Sequence, residues 1–204
     1  MDPEKLLEKM KNRTPDVLGH DEFLKSAILL PLIEKEGEVH VLFEVRSHML
    51  RQQPGEICFP GGKIDAQDQT EQAAAVRETI EELGIKESQL STILPLDYLV
   101  SPFGMIVYSF VGVIDSKATF VPNSSEVDSV FTVPLSFFLK NNPQKYRINF
   151  EIQPEENFPY DLIAGGENYN WRARQMDENF YIYEDKVIWG LTAKVLLHFI
   201  EIIR

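Results

Sequence analysis

The sequence predicts an α/β (α+β) protein, a single mixed β-sheet sandwiched between helices. Three observations carry this expectation. Strand-like runs outnumber helical ones, and they do not alternate with helices in the regular way a wholly parallel sheet requires. One strongly periodic helix sits in the first half of the chain. No internal repeat, low-complexity tract or linker divides the 204 residues, so one domain over 1–204 is expected, with an N-terminal extension at about 1–25 and a C-terminal decoration and helix at about 141–204.

In chain order, residues 4–12 read as a short amphipathic helix. Residues 26–34 form an apolar strand-like run whose internal Pro31 favours an edge or a bulge. In 38–46, Val39, Val41, Phe43 and Val45 alternate with His40 and Glu44, which predicts a strand with His40 on a solvent side. Lys35-Glu36-Gly37 between these runs predicts a hairpin. A Gly- and Pro-rich loop at 52–62 leads into a helix from about Asp68 to Leu83. Asp68 is the expected N-cap with Glu71 completing a capping box, and Gly84 is the expected terminator. Ala73, Val76, Ile80 and Leu83 form its apolar stripe. Strands follow at 90–100, 105–114 and 127–133, then a short helix at Pro134–Lys140 and a strand at 145–154. Residues 155–178 carry few signals. A strand at about 180–186 and a helix at about 191–203 close the chain.

Hydrophobic residues make up 44% and charged residues 25% of the sequence, an ordinary soluble balance. No apolar run approaches the roughly 20 residues that span a bilayer, and neither terminus shows a signal peptide or address tag. A cytoplasmic protein without a membrane partner is the expectation. A single cysteine, Cys58, excludes an intramolecular disulfide and a cysteine-based metal cluster, and reads as a small buried residue with no base beside it. The formal net charge of −12 argues against nucleic-acid binding. An acidic protein that handles an anionic substrate needs a cation and a local cluster of basic side chains.

The stretch Arg77-Glu78-Thr79-Ile80-Glu81-Glu82-Leu83-Gly84-Ile85 carries the chemistry. Glu78, Glu81 and Glu82 fall within an arc of roughly 100° opposite the apolar stripe. At i, i+3 and i+4 spacing their side chains meet. Three carboxylates on one arc repel each other unless a positive group sits among them, and Mg²⁺ or Mn²⁺ with oxygen ligands is the natural partner. The Gly61-Gly62 turn lets backbone carbonyls approach a metal. Arg77 lies four residues before Glu81, where it can orient one carboxylate.

This stretch resembles the box of the Nudix hydrolase superfamily. Thr79 departs from its aliphatic position, and the usual upstream Gly and Glu positions fall on Lys63 and Gln69, so the segment from Gly62 is one residue longer than usual. Upstream, Arg46-Ser47, Arg51, Gly55 and Phe59-Pro60-Gly61-Gly62 resemble the signature of the coenzyme A pyrophosphatase branch, which shares the longer box. The resemblance is strong over about residues 40–85. It implies a Nudix-type fold and metal-dependent hydrolysis of a pyrophosphate in a small nucleotide substrate. Coenzyme A or a derivative would give 3′,5′-ADP and (acyl-)4′-phosphopantetheine.

By the same resemblance Glu78, Glu81 and Glu82 are metal ligands, with the Gly62 carbonyl as a further one, and Arg77 is an orienting partner. Glu126, in a polar loop before a strand, is a candidate base or additional ligand. Arg46, Arg51 and Lys63 are candidate phosphate binders, Arg being suited to bidentate contacts. Phe59 and Pro60 shape the turn, and His48 reads as a surface-loop histidine. Ile188-Trp189-Gly190-Leu191-Thr192 reads as a strand end, a turn and a helix start, with Trp189 packing in preference to stacking on a base. The aromatic-rich segment 146–183 suits a lid or a homodimer surface, between which the sequence does not choose. The rival readings are the same chemistry on ADP-ribose, dinucleotides or nucleoside triphosphates, and a non-hydrolytic nucleotide sensor.

Overall fold

The structure, a computed structural model, describes residues 2–172 and 174–204. Its order is α1 (Pro3–Glu8), β1 (Leu24–Lys35), β2 (Glu38–Arg46), β3 (Ile57–Cys58), β4 (Gly61–Lys63), α2 (Glu71–Leu83), β5 (Leu90–Pro95), β6 (Leu99–Ser101), β7 (Met105–Ile114), β8 (Val127–Pro134), α3 (Leu135–Lys140), β9 (Gln144–Phe150), β10 (Arg174–Tyr183), β11 (Lys186–Trp189) and α4 (Gly190–Ile203). Strands β1–β8 form one mixed sheet, in which β1 runs parallel to β7 and antiparallel to β2 and β4. A second sheet, ordered β11-β10-β9, was not foreseen as separate. Its middle strand starts at Arg174, where Asp177, Glu178 and Asn179 break the apolar alternation that a sequence reading follows. Among the described residues no helix is long and apolar enough to cross a membrane.

Strand β1 is central, not an edge. Its odd residues Ala27, Leu29 and Ile33 pack on the α2 side, and Ile28 and Leu30 pack on the opposite side with α3, α4 and the second sheet. Pro31 fits because of a change of partner. β1 pairs with β4 as far as Ile28 and with β2 from Leu32. The Leu29 N–H points to the Pro60 carbonyl at 3.0 Å, so the position of Pro31, two residues on, faces the gap between the two ladders, where no donor is required. The 35–38 hairpin forms with a two-residue turn, Glu36 and Gly37 both having positive φ.

Strand β2 is buried on both faces. Leu42 is 1% exposed on the α2 side, and Glu44 shares that side and is itself 1% exposed. The expectation of a solvated face carrying His40 is therefore corrected: His40 is half-buried, because α2 and its flanking loops cover that face.

The first helix stops at Glu8 rather than residue 12. None of its residues is buried, and a short helix without a packed face is not sustained. Helix α2 begins at Glu71, and its N-cap is Thr70, whose hydroxyl accepts from the Ala73 N–H at 3.1 Å, not Asp68. Its deep face is Ala74, Ala75, Thr79, Glu82 and Leu83. The expected stripe members Ala73, Val76 and Ile80 are half-buried, lining a 550 Å³ cleft with Leu90 and Ile93. Thr79 satisfies its buried hydroxyl by donating to the Ala75 carbonyl at 2.7 Å, which explains how a polar residue stands at an aliphatic position.

Gly84 ends α2 with φ 63°. The loop after β7 docks on that end: Val121 N–H donates to the Leu83 carbonyl and Asn123 N–H to the Glu82 carbonyl, each at 3.0 Å. A Cβ at Gly84 would lie 2.0 Å from the Val121 carbonyl oxygen. Gly84→Ala therefore combines a left-handed backbone with a backbone clash, and a loss of about 2–4 kcal/mol is expected in chemical denaturation. An unchanged midpoint would show that the loop does not press on the helix end.

Candidate functional site

Arg77 is the hub of the outer half of the site. Its Nε and Nη2 donate to the two oxygens of Asp68, each at 3.0 Å. Nη1 donates to Glu78 Oε1 at 2.9 Å and Glu81 Oε2 at 3.2 Å, and Nη2 also reaches the Lys63 carbonyl at 3.2 Å. Asp68, expected as a cap, is instead the bidentate partner of Arg77, and it also accepts from the Asp65 N–H at 2.8 Å. The hydrogen bonds from Arg77 hold its carboxyl below the usual carboxylate range. Donating to Asp68 and Glu78 in turn pushes the Arg77 guanidinium still higher. The sequence reading named Glu81 as the partner of Arg77 and missed Asp68, which lies a loop away in the chain.

The three box glutamates have different surroundings. The Glu81 side chain is 55% exposed and that of Glu78 is 16% exposed. Glu82 is 5% exposed, and its Oε2 accepts from the Gly61 N–H at 2.7 Å. Burial, and next the charge of Glu44, push Glu82 up to about 9, against which the Gly61 hydrogen bond acts. Burial also raises Glu78, with Arg77 opposing. Glu44 faces this group from β2. Burial raises its carboxyl to about 7, and the Cys58 thiol, donating to Oε1 at 3.2 Å, pulls the other way. Cys58 thus does have a carboxylate beside it, contrary to expectation. Its thiol is pushed up by burial and by Glu44, which makes it a poor nucleophile.

Glycine backbone fills the space between sheet and helix. A Cβ on Gly62 would lie 2.5 Å from the Glu78 carboxyl carbon, and one on Gly61 would lie 2.4 Å from the Ala27 carbonyl oxygen. The loop that docks on α2 carries Glu126, which is half-buried. Its N–H donates to the Asn123 carbonyl, and its carbonyl accepts from the Ser47 N–H at 2.8 Å. Its charge acts on Glu44, Glu78 and Glu82, so the loop brings it to the same acidic group.

Of the basic candidates, Arg46 follows Glu44 on β2, half-buried and with its Nε unpartnered. Arg51 and Lys63 are exposed. His48 packs its ring over Gly55, at 2.8 Å from where a Cβ would stand, and so has a turn-packing role. Trp189 stacks on Phe180 with centroids 5.6 Å apart. The signal that could have found Glu44 is its parity with Leu42, an apolar residue on the face that His40 and Glu44 otherwise mark as polar.

The donor set fits a hard divalent cation. It is all oxygen, from glutamates converging on a glycine backbone with no side chain in the way. Among the described residues no three His, Cys, Asp or Glu side chains form a finished cage, and Arg77 holds one oxygen each of Glu78 and Glu81 by hydrogen bonds. Arg77 takes Oε1 of Glu78 and Oε2 of Glu81, which leaves the second oxygen of each carboxylate free of it.

The two raised carboxyls also set a pH dependence. A group whose pKa is raised on folding binds its proton more tightly in the folded state. Its stabilising contribution is full below about 4.5 and lost as pH rises through the folded values of about 7 and 9. With chelator present, stability should fall between pH 5.5 and 8.5 by on the order of 2 kcal/mol, or roughly 4–8 °C in Tm. Glu82→Gln should flatten that slope. A metal-free melting temperature that rises over this range would mean that the pair is not buried as described.

Comparisons with known proteins bear on the family and the fold. The NUDIX domain profile matches residues 23–150. The mouse protein named peroxisomal coenzyme A diphosphatase NUDT7 is 40% identical over 141 residues, covering 68% of this chain and 59% of that protein. The Caenorhabditis elegans peroxisomal coenzyme A diphosphatase ndx-8 is 38% identical over 157 residues, covering 72% and 64%. The chain thus spans less than two thirds of the length of either relative. A solved MutT/nudix family protein from Enterococcus faecalis has the same fold, with a TM-score of 0.54 at 13% identity over 100% of this chain and 70% of that one. With the profile covering most of the chain and identities of this size, the chain belongs to the Nudix family.

Proposed function

We propose that this chain hydrolyses the pyrophosphate of coenzyme A or a derivative, releasing 3′,5′-ADP and (acyl-)4′-phosphopantetheine. The observation that carries the reading is the run Arg46 to Gly62, which meets every fixed position of the upstream signature and leads directly into the acidic group. The names of the mouse and C. elegans relatives support the same substrate class.

Nudix hydrolases generally need a divalent metal such as Mg²⁺ or Mn²⁺. Bound here, the metal would neutralise charge on the pyrophosphate oxygens and lower the pKa of a water. Glu78, Glu81 and Glu82 hold it in this reading, with the Gly62 carbonyl. Arg77, anchored by Asp68, keeps Glu78 and Glu81 in position. Glu126 accepts a proton from the attacking water or adds a ligand. Arg46, Arg51 and Lys63 hold phosphates. Positioning and electrostatics supply most of the acceleration in such chemistry.

The compartment proposed with this reading is the cytosol. The peroxisomal names of the two relatives make the peroxisome the alternative for imaging to test.

Mass spectrometry of products from coenzyme A, ADP-ribose and NADH, with Mg²⁺ or with chelator, tests the proposal. Coenzyme A should be cut preferentially and only with metal, and Glu82→Gln should reduce kcat by about a hundredfold or more. Cleavage of ADP-ribose or NADH but not coenzyme A would keep the catalytic helix and reject the substrate. Metal-independent binding without turnover would favour a nucleotide sensor.

A further inference from the structure

Two carboxylates are buried among the described residues, Glu82 on α2 and Glu44 on β2. Glu82 belongs to the box, and Glu44 does not. The burial of Glu44 has no structural explanation. One oxygen accepts the Cys58 thiol, a weak donor, and the other, Oε2, is buried without any partner. No cationic side chain among the described residues stands within ion-pair distance of it, and Arg46, two residues along the same strand, acts on it only at longer range. The charges around it are the wrong sign, coming from Glu82, Glu78 and Glu126.

A lone buried carboxylate facing other carboxylates is costly, and an apolar residue would be the cheaper choice if packing were its only task. Leu42, on the same face of β2, shows that the strand accepts one there. A protonated Glu44 would relieve the repulsion by donating to a neighbouring carboxylate, but only while it keeps its proton. An oxygen-ligated cation removes both the charge repulsion and the orphaned acceptor.

We propose that Glu44 is a further carboxylate ligand of the divalent-cation site, supplied by the sheet and not by the box helix. The proposal rests on the metal reading given above. With Glu82 on α2 and Glu44 on β2, the cation would tie the helix to the sheet, so that metal binding and the docking of α2 become one event. Glu44 would add a buried carboxylate to a set in which the Glu81 side chain is exposed.

The test is Mn²⁺ binding to the full chain, followed by electron paramagnetic resonance and by calorimetry, with thermal melts in chelator and in Mn²⁺. Glu44→Gln keeps the shape and removes the charge. It should weaken Mn²⁺ binding about tenfold or more and reduce the metal-induced rise in Tm. In chelator at pH 8 it should melt no lower than wild type. A merely structural glutamate would do the reverse, lowering the metal-free Tm and leaving Mn²⁺ affinity alone. Glu44→Leu, folded or not by circular dichroism, provides a second variant of similar size should the amide fail to fold. Wild-type Mn²⁺ affinity in a folded variant would overturn this inference alone. A wild-type protein that binds no Mn²⁺ would overturn the inference and the metal reading together, whereas Mn²⁺ binding without turnover of coenzyme A would overturn only the substrate.

Discussion

Gly61 and Gly62 run between strand β1 and helix α2 with no room for a side chain. A Cβ on the first would strike the Ala27 carbonyl, and one on the second would strike Glu78. Because the backbone passes this closely, the Gly61 N–H reaches Glu82 at 2.7 Å while Gly61 stays in register with Ile28. Helix, turn and central strand are fixed to one another through that contact. The acidic residues converge because the glycines allow it: a Cβ at Gly61 would press on the β1 backbone, and one at Gly62 would displace the Glu78 carboxylate.

The same closeness puts the site at odds with stability. Burying Glu44 and Glu82 favours their protonated forms, so near neutral pH the metal-free fold carries a penalty that a hydrophobic pair would not. Arg77 offsets the negative charge of the outer glutamates instead, where Asp68 anchors the guanidinium and leaves Nη1 for Glu78 and Glu81. Glu126 comes to the group indirectly, on a loop held at one end by the α2 carbonyls and at the other by Ser47.

Much of the fold was legible because it is local. The hairpin at Glu36-Gly37, the strand 105–114 and the glycine terminator of α2 each follow from spacing and turn chemistry, and each is present. The start of α2 was misread, because Asp68 and Thr70 are both good caps and only the distant Arg77 decides between them. Pro31 was misread as an edge because its tolerance depends on where β1 changes partner, which no local window contains. The second sheet was missed where polar residues at 177–179 sit on a strand that pairs on both sides.

The sequence by itself determined the class of fold, the family and the identity of the acidic helix. These depend on residue types at short spacings, and short spacings survive without coordinates. Tertiary structure alone decided which of the acids are buried, that Asp68 and not only Glu81 holds Arg77, and that Glu44 lies with the box glutamates and with Glu126, which the sequence had already named. Burial and charge proximity are sums over chain segments far apart in sequence. Glu44 precedes Glu82 by 38 residues, and only the packing of β2 beneath α2 makes them neighbours.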